Sequence, residues 1–232
     1  APDLKNGDIH TVKGFIEKYQ IPIIGYTPAL NSYPYNMMIG SESMRRESID
    51  YIKLSMDMAK EMGANFTSIS PGHAGYYATH EEIWDRLILN LREIAEYAQT
   101  IDHKVVIEAL TCFESNVITS ANDLARSLKD VPSPNLVGMC DVVPPYVHKE
   151  SILTYFDKLG DKMQHMHITD SDKISDTHVL PGEGNMPLYE LMQEIKNLEF
   201  QGWITIELVT AYINEPRLYA KRAIDNLKAL MR

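Results

Sequence analysis

The chain has 232 residues, 44% of them hydrophobic and 23% charged, a composition that predicts one globular domain and excludes a disordered chain. Its formal net charge is −10, and duplex nucleic acid needs a basic surface, so nucleic acid is disfavoured as a partner. The sequence has no apolar run near the ~20 residues of a membrane span, so no membrane partner is expected. The two cysteines, Cys112 and Cys140, are too few for a disulfide framework and predict a reducing, cytoplasmic location.

Short apolar runs alternate with amphipathic helices along the whole chain. The runs are mostly short, apolar and bounded by turn residues, as expected for strands that are buried on both faces. A capping box of Thr79 and Glu82 begins one helix, and Gly63 is expected to end the helix before it. The predicted strands are 21–24, 66–69, 105–107, 136–140, 163–168 and 203–208, and the predicted helices are 8–19, 44–59, 79–98, 186–198 and 215–232.

Strand–helix alternation predicts a parallel sheet covered by helices, either as a closed barrel or as an open doubly wound sheet. The open sheet is disfavoured because Gly25-Tyr26-Thr27-Pro28 is unlike a glycine-rich nucleotide turn. We therefore predict an α/β fold of the (β/α)₈ TIM-barrel type. Six βα units are visible where a barrel has eight, so residues 1–232 are expected to form a single, N-terminally incomplete domain. The native protein is then expected to be longer by about 40 residues.

Functional side chains of a barrel lie at the carboxyl ends of its strands. Four consecutive predicted strands end with Glu108, Asp141, His167 and Glu207. An ionised acid in such a place costs several kcal/mol unless it is paired or binds a metal, and the strand interiors contain no Arg or Lys to pair with. Three carboxylates and one imidazole suit one divalent cation, such as Mn²⁺, Co²⁺, Mg²⁺, Ni²⁺ or Zn²⁺. The alternative is that each acid pairs with a basic residue of a neighbouring strand.

Five further residues are candidates for substrate binding at the same barrel mouth. Glu114 follows Glu108 by six residues, and as a loop acid it is equally well explained by solvation. His73 follows a strand, although a surface histidine is the alternative. Asp176 and His178 lie in the loop after the fifth strand, and Tyr26 follows the first.

Two other features of the sequence do not predict a functional site. By strand alternation, His165 is expected to face away from His167 and to be structural. The turn Pro181-Gly182-Glu183-Gly184 lacks the Lys-Ser/Thr pair of a phosphate loop, so it does not predict a nucleotide site.

The sequence resembles the xylose-isomerase-like barrel superfamily, in the branch of ketose 3-epimerases and sugar-phosphate isomerases. The likeness covers essentially the whole chain, so Ala1 would lie just after the second barrel strand. The runs that carry it are Ile23-Ile24-Gly25-Tyr26-Thr27-Pro28, Tyr33-Pro34-Tyr35-Asn36-Met37-Met38, Met56-Asp57-Met58-Ala59-Lys60-Glu61-Met62, Tyr155-Phe156-Asp157-Lys158-Leu159-Gly160-Asp161-Lys162, Pro181-Gly182-Glu183-Gly184 and Asn214-Glu215-Pro216-Arg217-Leu218-Tyr219-Ala220.

The resemblance implies the same four cation ligands, with Glu108 and Glu207 as the acid–base pair and Glu114 near the terminal hydroxyls of the substrate. It also implies a homo-oligomer. One departure is Pro144, where many ketose 3-epimerases have a histidine three residues after the ligand aspartate. Because a sugar contact of those enzymes is missing here, a ketosamine is favoured over a free ketose as the substrate.

The implied activity is 3-epimerisation of a ketose or ketosamine, through abstraction and return of the C3 proton by way of a cis-enediolate. Another sugar or sugar-phosphate isomerase or a dehydratase would use the same ligands. An apurinic endonuclease of the same superfamily is a weaker alternative, which Asp176-Thr177-His178 favours and which the acidic charge and Pro144 oppose. A non-catalytic binding barrel is disfavoured because all four candidate ligands are present.

Overall fold

The computed structural model describes residues 4–30, 34–209 and 212–231. The strands in these ranges are β1 (Gly25–Tyr26), β2 (Phe66–Ile69), β3 (Lys104–Ile107), β4 (Leu136–Asp141), β5 (Met163–Ile168) and β6 (Trp203–Ile206). The α-helices are α1 (Ile9–Tyr19), α2 (Glu42–Glu61), α3 (His80–Thr100), α4 (Ala121–Asp130), α5 (Val143–Val147), α6 (Leu153–Leu159), α7 (Leu188–Asn197) and α8 (Pro216–Leu230).

The six strands form one parallel sheet in the order β1-β2-β3-β4-β5-β6. Strand order therefore follows chain order, as in a barrel and unlike a doubly wound sheet, in which the order reverses at a switch point. The arrangement confirms the predicted α/β, TIM-barrel-like architecture with six βα units, arranged as an incomplete barrel whose edge strands are β1 and β6.

The two faces of the sheet carry different clusters of side chains, because successive residues of a strand point to opposite faces. Phe66, Val106, Val137 and Met139 pack together on what we call the inner face. Their strand neighbours pack with helix residues in the main core on the outer face. Two residues beyond Val106 and Met139, toward the carboxyl ends of the strands, the same face carries the candidate ligands Glu108 and Asp141.

The first strand is displaced from its prediction. The prediction placed it at residues 21–24, whereas pairing begins at Ile24, whose carbonyl accepts a hydrogen bond from Asn65, and the strand occupies Gly25–Tyr26. A Cβ on Gly25 would lie 2.3 Å from the ring of Phe66, so the two strands can approach closely only at a glycine. The prediction relied on hydrophobicity alone and therefore placed the strand on the apolar residues before Gly25, although Ile21 is 67% exposed.

The helices begin and end at recognisable signals. The side chain of Thr79 accepts from the Glu82 amide and the Glu82 side chain accepts from the Thr79 amide, which confirms the predicted capping box. Gly63, with a φ of +79°, follows the end of α2 and confirms the predicted stop. Helices α4, α5 and α6 were not predicted; α4 begins after Ser120, whose side chain accepts from the Asp123 amide.

Helix α3 provides a direct test of the outer core. Leu87 is fully buried, so Leu87→Ala is expected to lower the free energy of unfolding by about 2–5 kcal/mol, because it removes apolar contacts and leaves a cavity. Leu89 on the same helix is 55% exposed, and Leu89→Ala should change the free energy of unfolding by less than about 1 kcal/mol. Urea unfolding of both variants measures the difference, and equal effects would contradict this orientation of α3.

Both cysteines are free, and Cys112 is exposed whereas Cys140 is buried. Within the described ranges, no helix has the length and hydrophobicity required to cross a bilayer.

Candidate metal centre and its pocket

Four neighbouring strands bring the predicted ligands together at their carboxyl ends. Glu108 directly follows β3, Asp141 is the last residue of β4, His167 lies near the end of β5, and Glu207 directly follows β6. In the β4–β5 ladder, Asp141 and His167 are direct partners. The backbone amides of Glu108 and Glu207 donate to the preceding strands, so both glutamates extend the sheet and do not belong to loose loops.

The ligand atoms of these four residues all lie within 4.8 Å of one another. His167 Nδ1 lies at the centre, 2.8 Å from Glu207 Oε2, 3.2 Å from Glu108 Oε1 and 3.7 Å from Asp141 Oδ2. Glu108, Asp141 and His167 are each more than 90% buried. The buried atoms Asp141 Oδ2 and His167 Nδ1 have no partner with hydrogen-bond geometry among the described residues. Converging buried donor atoms of this kind fit a divalent cation bound by oxygen and nitrogen.

The carboxylates of the cluster and their burial determine the protonation of its histidine and acids. Burial opposes a charged imidazole at His167, but the charges of Glu108 and Glu207 outweigh it and hold its pKa well above the usual value. Burial also opposes the charged form of Glu207, yet the contact with His167 lowers its pKa. Burial raises the pKa of Asp141, which is fully enclosed. Without a cation, the cluster therefore needs positive charge from a protonated histidine to balance its carboxylates.

His178 is a second histidine beside the cluster. Its Nε2 lies 3.4 Å from Asp141 Oδ2 and 3.7 Å from Glu207 Oε2. Although burial favours the neutral ring, the contact with Asp141 raises the pKa of His178 to about 9. His178 is thus held in direct contact with two of the four candidate ligands.

A cavity of about 450 Å³ opens onto the cluster, in the range of small-ligand sites. Of the predicted substrate-binding residues, Glu114, Asp176 and His178 line it. Glu114 is exposed as a whole residue, whereas its carboxyl is partly desolvated at the cavity that it lines. This burial, with the charges of Asp176 and Glu108, raises the pKa of Glu114 to about 7. The cavity is lined by Thr27, Pro28, Ala29, Leu30, Ser70, Glu108, Leu110, Glu114, Asp141, Pro144, Asp176, His178, Glu207 and Val209.

Two predicted substrate contacts lie outside this lining. Gly25 pairs with Phe66 of the inner face, and Tyr26 pairs with Thr67. Because successive strand residues point to opposite faces, Tyr26 lies on the outer face, and Thr27 after it lines the cavity. His73 lies in the loop after β2, where its Nδ1 accepts from the Gly75 amide and its ring contacts Tyr76. Substrate contacts by Tyr26 and His73 stay predictions, because neither residue lines the cavity.

The expected orientation of His165 is wrong. Residues two apart on a strand share a face, and the His165 and His167 rings lie 5.1 Å apart on the inner face. His165 Nε2 lies 3.1 Å from Thr205 Oγ1 and its ring contacts Phe66, below the cation ligands.

Sequence reasoning also missed residues that line the cavity. Ser70 directly follows β2, the position that Glu108 occupies after β3, so the strand-end rule that found the ligands also applied to Ser70. Thr27 occupies the same position after β1.

Comparison with known proteins agrees with this fold. Residues 1–230 match the family model described as the xylose isomerase-like TIM barrel. The chain is 56% identical over 231 residues to fructoselysine 3-epimerase of Escherichia coli O157:H7, a match that covers 100% of this chain and 84% of the relative.

Two solved structures share the fold at low sequence identity. The 3-keto-D-glucoside 4-epimerase of E. coli has a TM-score of 0.81 at 14% identity, covering 96% of this chain and 84% of its own. The IolI protein with a bound zinc atom has a TM-score of 0.77 at 18% identity, covering 99% of this chain and 82% of its own. The chain therefore belongs to the xylose isomerase-like TIM barrel family, as an enzyme of the isomerase class.

Proposed function

We propose that this chain is a divalent-metal-dependent 3-epimerase that interconverts the ketosamines fructoselysine and psicoselysine. The observation that carries the proposal is the convergence of Glu108, Asp141, His167 and Glu207 at one end of the sheet, with ligand atoms within 4.8 Å of one another. The 56% identity to fructoselysine 3-epimerase over the whole chain supports the reaction and the substrate.

Glu108 and Glu207 are proposed to move the C3 proton. Inversion at a carbon requires a base on one face and an acid on the other. These carboxylates follow β3 and β6, on either side of the β4–β5 pair that holds Asp141 and His167. One glutamate removes the C3 proton and leaves an enediolate on the open-chain sugar, and the other returns a proton to the opposite face. When bound, a divalent cation supplies Lewis-acid stabilisation of the negative charge that develops on the sugar oxygens.

The charge of the cavity supports a substrate that carries an amine. Among its lining residues in the described part of the chain, none is Lys or Arg, whereas Glu114 and Asp176 add two acids to the cation ligands. A phosphorylated sugar needs cationic or amide donors for its phosphate. Two carboxylates beyond the cation ligands instead suit the secondary ammonium of a ketosamine. This assignment places Glu114 at the amine and not at the terminal hydroxyls that the resemblance implies. The same acidic lining disfavours an apurinic endonuclease, which has to bind a polyanion.

Charge substitutions in the cavity test the amine. Glu114→Gln and Asp176→Asn are each expected to raise the KM for fructoselysine by about 5- to 10-fold, since each removes a charge-assisted partner of the ammonium group. The KM for free fructose should change less than about twofold. Glu199→Gln is the control, because it removes the same charge from an exposed position at the opposite end of the barrel. Equal changes of KM for both sugars would contradict an ammonium contact.

A turnover assay with a substrate panel tests the proposed function as a whole. The protein with Mn²⁺ would be incubated with fructoselysine, fructose and a fructose phosphate, and the products separated by chromatography. The expected result is psicoselysine, with slower turnover of fructose and the slowest of the phosphorylated sugar. Turnover of the fructose phosphate alone would overturn the assignment of a ketosamine.

A further inference from the structure

We infer that Asp170 is a positioning residue: its carboxylate anchors the Pro181–Met186 turn and thereby fixes Asp176 and His178 at the cavity. The inference rests on the proposed role of His178 in binding the sugar. Asp170 lies two residues beyond β5 and is 2% exposed, and within the described part of the chain its carboxylate bonds to backbone amides outside the cation cluster.

The Asp170 carboxylate is a hydrogen-bond hub for backbone amides. Its Oδ1 accepts from the amides of Ser171 at 2.8 Å and Met186 at 3.0 Å, and its Oδ2 accepts from the amide of Gly182 at 2.9 Å. Two of these donors lie 12 and 16 residues further along the chain. An ionised carboxylate that accepts several amide hydrogen bonds forms stronger bonds than a neutral acceptor.

The glycine-rich turn is shaped to hold this carboxylate. A Cβ on Gly184 would lie 2.3 Å from Asp170 Oδ1 and 2.6 Å from the backbone of Ser171. Only a glycine therefore allows the turn to close over Asp170. The turn Pro181-Gly182-Glu183-Gly184 thus presents amides to an anion, but the anion is a side chain of the protein itself.

Asp170 also holds the chain next to His178. Its backbone pairs with Val179 in an antiparallel bridge, with N···O distances of 3.0 and 2.8 Å, and Thr169 Oγ1 donates to the Val179 carbonyl at 2.7 Å. The segment 171–178 is consequently a loop whose two ends are fastened at Asp170 and Val179. Asp176 and His178 lie in that segment, and both line the cavity.

Asp170→Asn should weaken the anchor, because an amide group cannot accept from every amide that faces the carboxylate. The amides of Gly182 and Met186 are expected to exchange with solvent about 10- to 100-fold faster. The kcat/KM for fructoselysine should fall about 10- to 100-fold, mainly through KM, because residues that support a site from outside its ligand set typically have effects of this size. Thr169→Val is the milder second variant, with a smaller change in the same direction.

The control and the coupling test separate positioning from mere stability. Glu183→Gln alters the same turn but removes only a surface ion pair with Arg222, so exchange rates and KM should stay as in the native protein. Because Asp170 acts through Asp176 and His178 together, Asp170→Asn should cause no further loss of kcat/KM in a background in which Asp176→Asn and His178→Ala are combined. Independent, additive losses, or a lowered melting temperature with unchanged KM, would overturn the inference.

One readout does not depend on the proposed reaction. If the native protein epimerises no ketosamine, the proposed function fails, but the NMR signals of the His178 ring still report its position. A shift or broadening in Asp170→Asn and Thr169→Val that is absent in Glu183→Gln would support the anchor. An unchanged ring signal in both variants would overturn it.

Discussion

Glu108→Gln and Glu207→Gln are each expected to reduce kcat for epimerisation by about 10²- to 10⁴-fold, because each variant lacks a carboxylate that removes or returns the C3 proton. Glutamine retains the size of the side chain and one oxygen that can face a cation, so both variants should keep the fold and part of the cation affinity. The measurement is steady-state turnover of fructoselysine, with circular dichroism and metal analysis of the same samples.

Glu114→Gln is the matched control for these two substitutions. Its carboxyl lines the same cavity but is not among the four candidate ligands, so its main expected effect is on KM. Turnover retained in both Glu108→Gln and Glu207→Gln would refute their assignment as the acid–base pair. A large loss in only one of them would instead indicate a single base with the proton returned by another donor.

Cation binding is expected to stabilise the protein substantially. A free Mn²⁺ concentration about 100 times the dissociation constant adds about 2.7 kcal/mol to the free energy of unfolding. For a chain of this size, that corresponds to a rise in melting temperature of about 5–10 °C. The rise is expected because Mn²⁺ compensates three carboxylates that otherwise repel one another in a mostly buried cluster. Differential scanning fluorimetry with Mn²⁺ and then with EDTA measures it, and EDTA should also abolish turnover.

Asp141→Asn and His167→Ala should lose most of this stabilisation, since each removes a buried ligand of the cluster. Glu199→Gln, which removes an exposed acid at the opposite end of the barrel, should keep it in full. An unchanged shift in Asp141→Asn and His167→Ala would mean that the cation binds elsewhere on this acidic chain.

Much of the fold was predictable because parallel strands that are buried on both faces leave short apolar runs in the sequence. The strand-end rule also identified the acids and the histidine that the structure brings together, because an acid at the end of an apolar run needs a partner. The rule is purely local, and it worked where ligand and strand are adjacent in sequence. It failed at β1, where the position of the strand depends on how closely Gly25 can approach Phe66 of another strand.

Other features depend on contacts that the sequence does not display. His103 directly precedes β3 and is only 4% exposed, because its ring reaches Thr67 of the neighbouring strand, 3.0 Å from Nε2 to Oγ1. The Asp170 anchor joins residues 12 and 16 positions apart through backbone amides, which carry no sequence signal. The sequence shows the glycines of this turn, but it does not show that Gly184 leaves room for the Asp170 carboxylate. Tyr33, which begins one of the runs that carry the resemblance, lies outside the described residues.

Proton NMR of the protein with fructoselysine in D₂O, first with Mn²⁺ and then with EDTA, tests the central claim most directly. The proposed mechanism predicts metal-dependent incorporation of deuterium at C3, accompanied by the signals of psicoselysine, and the loss of both with EDTA. Deuterium at C1 with no exchange at C3 would contradict 3-epimerisation and assign the same carboxylates to an aldose–ketose isomerase.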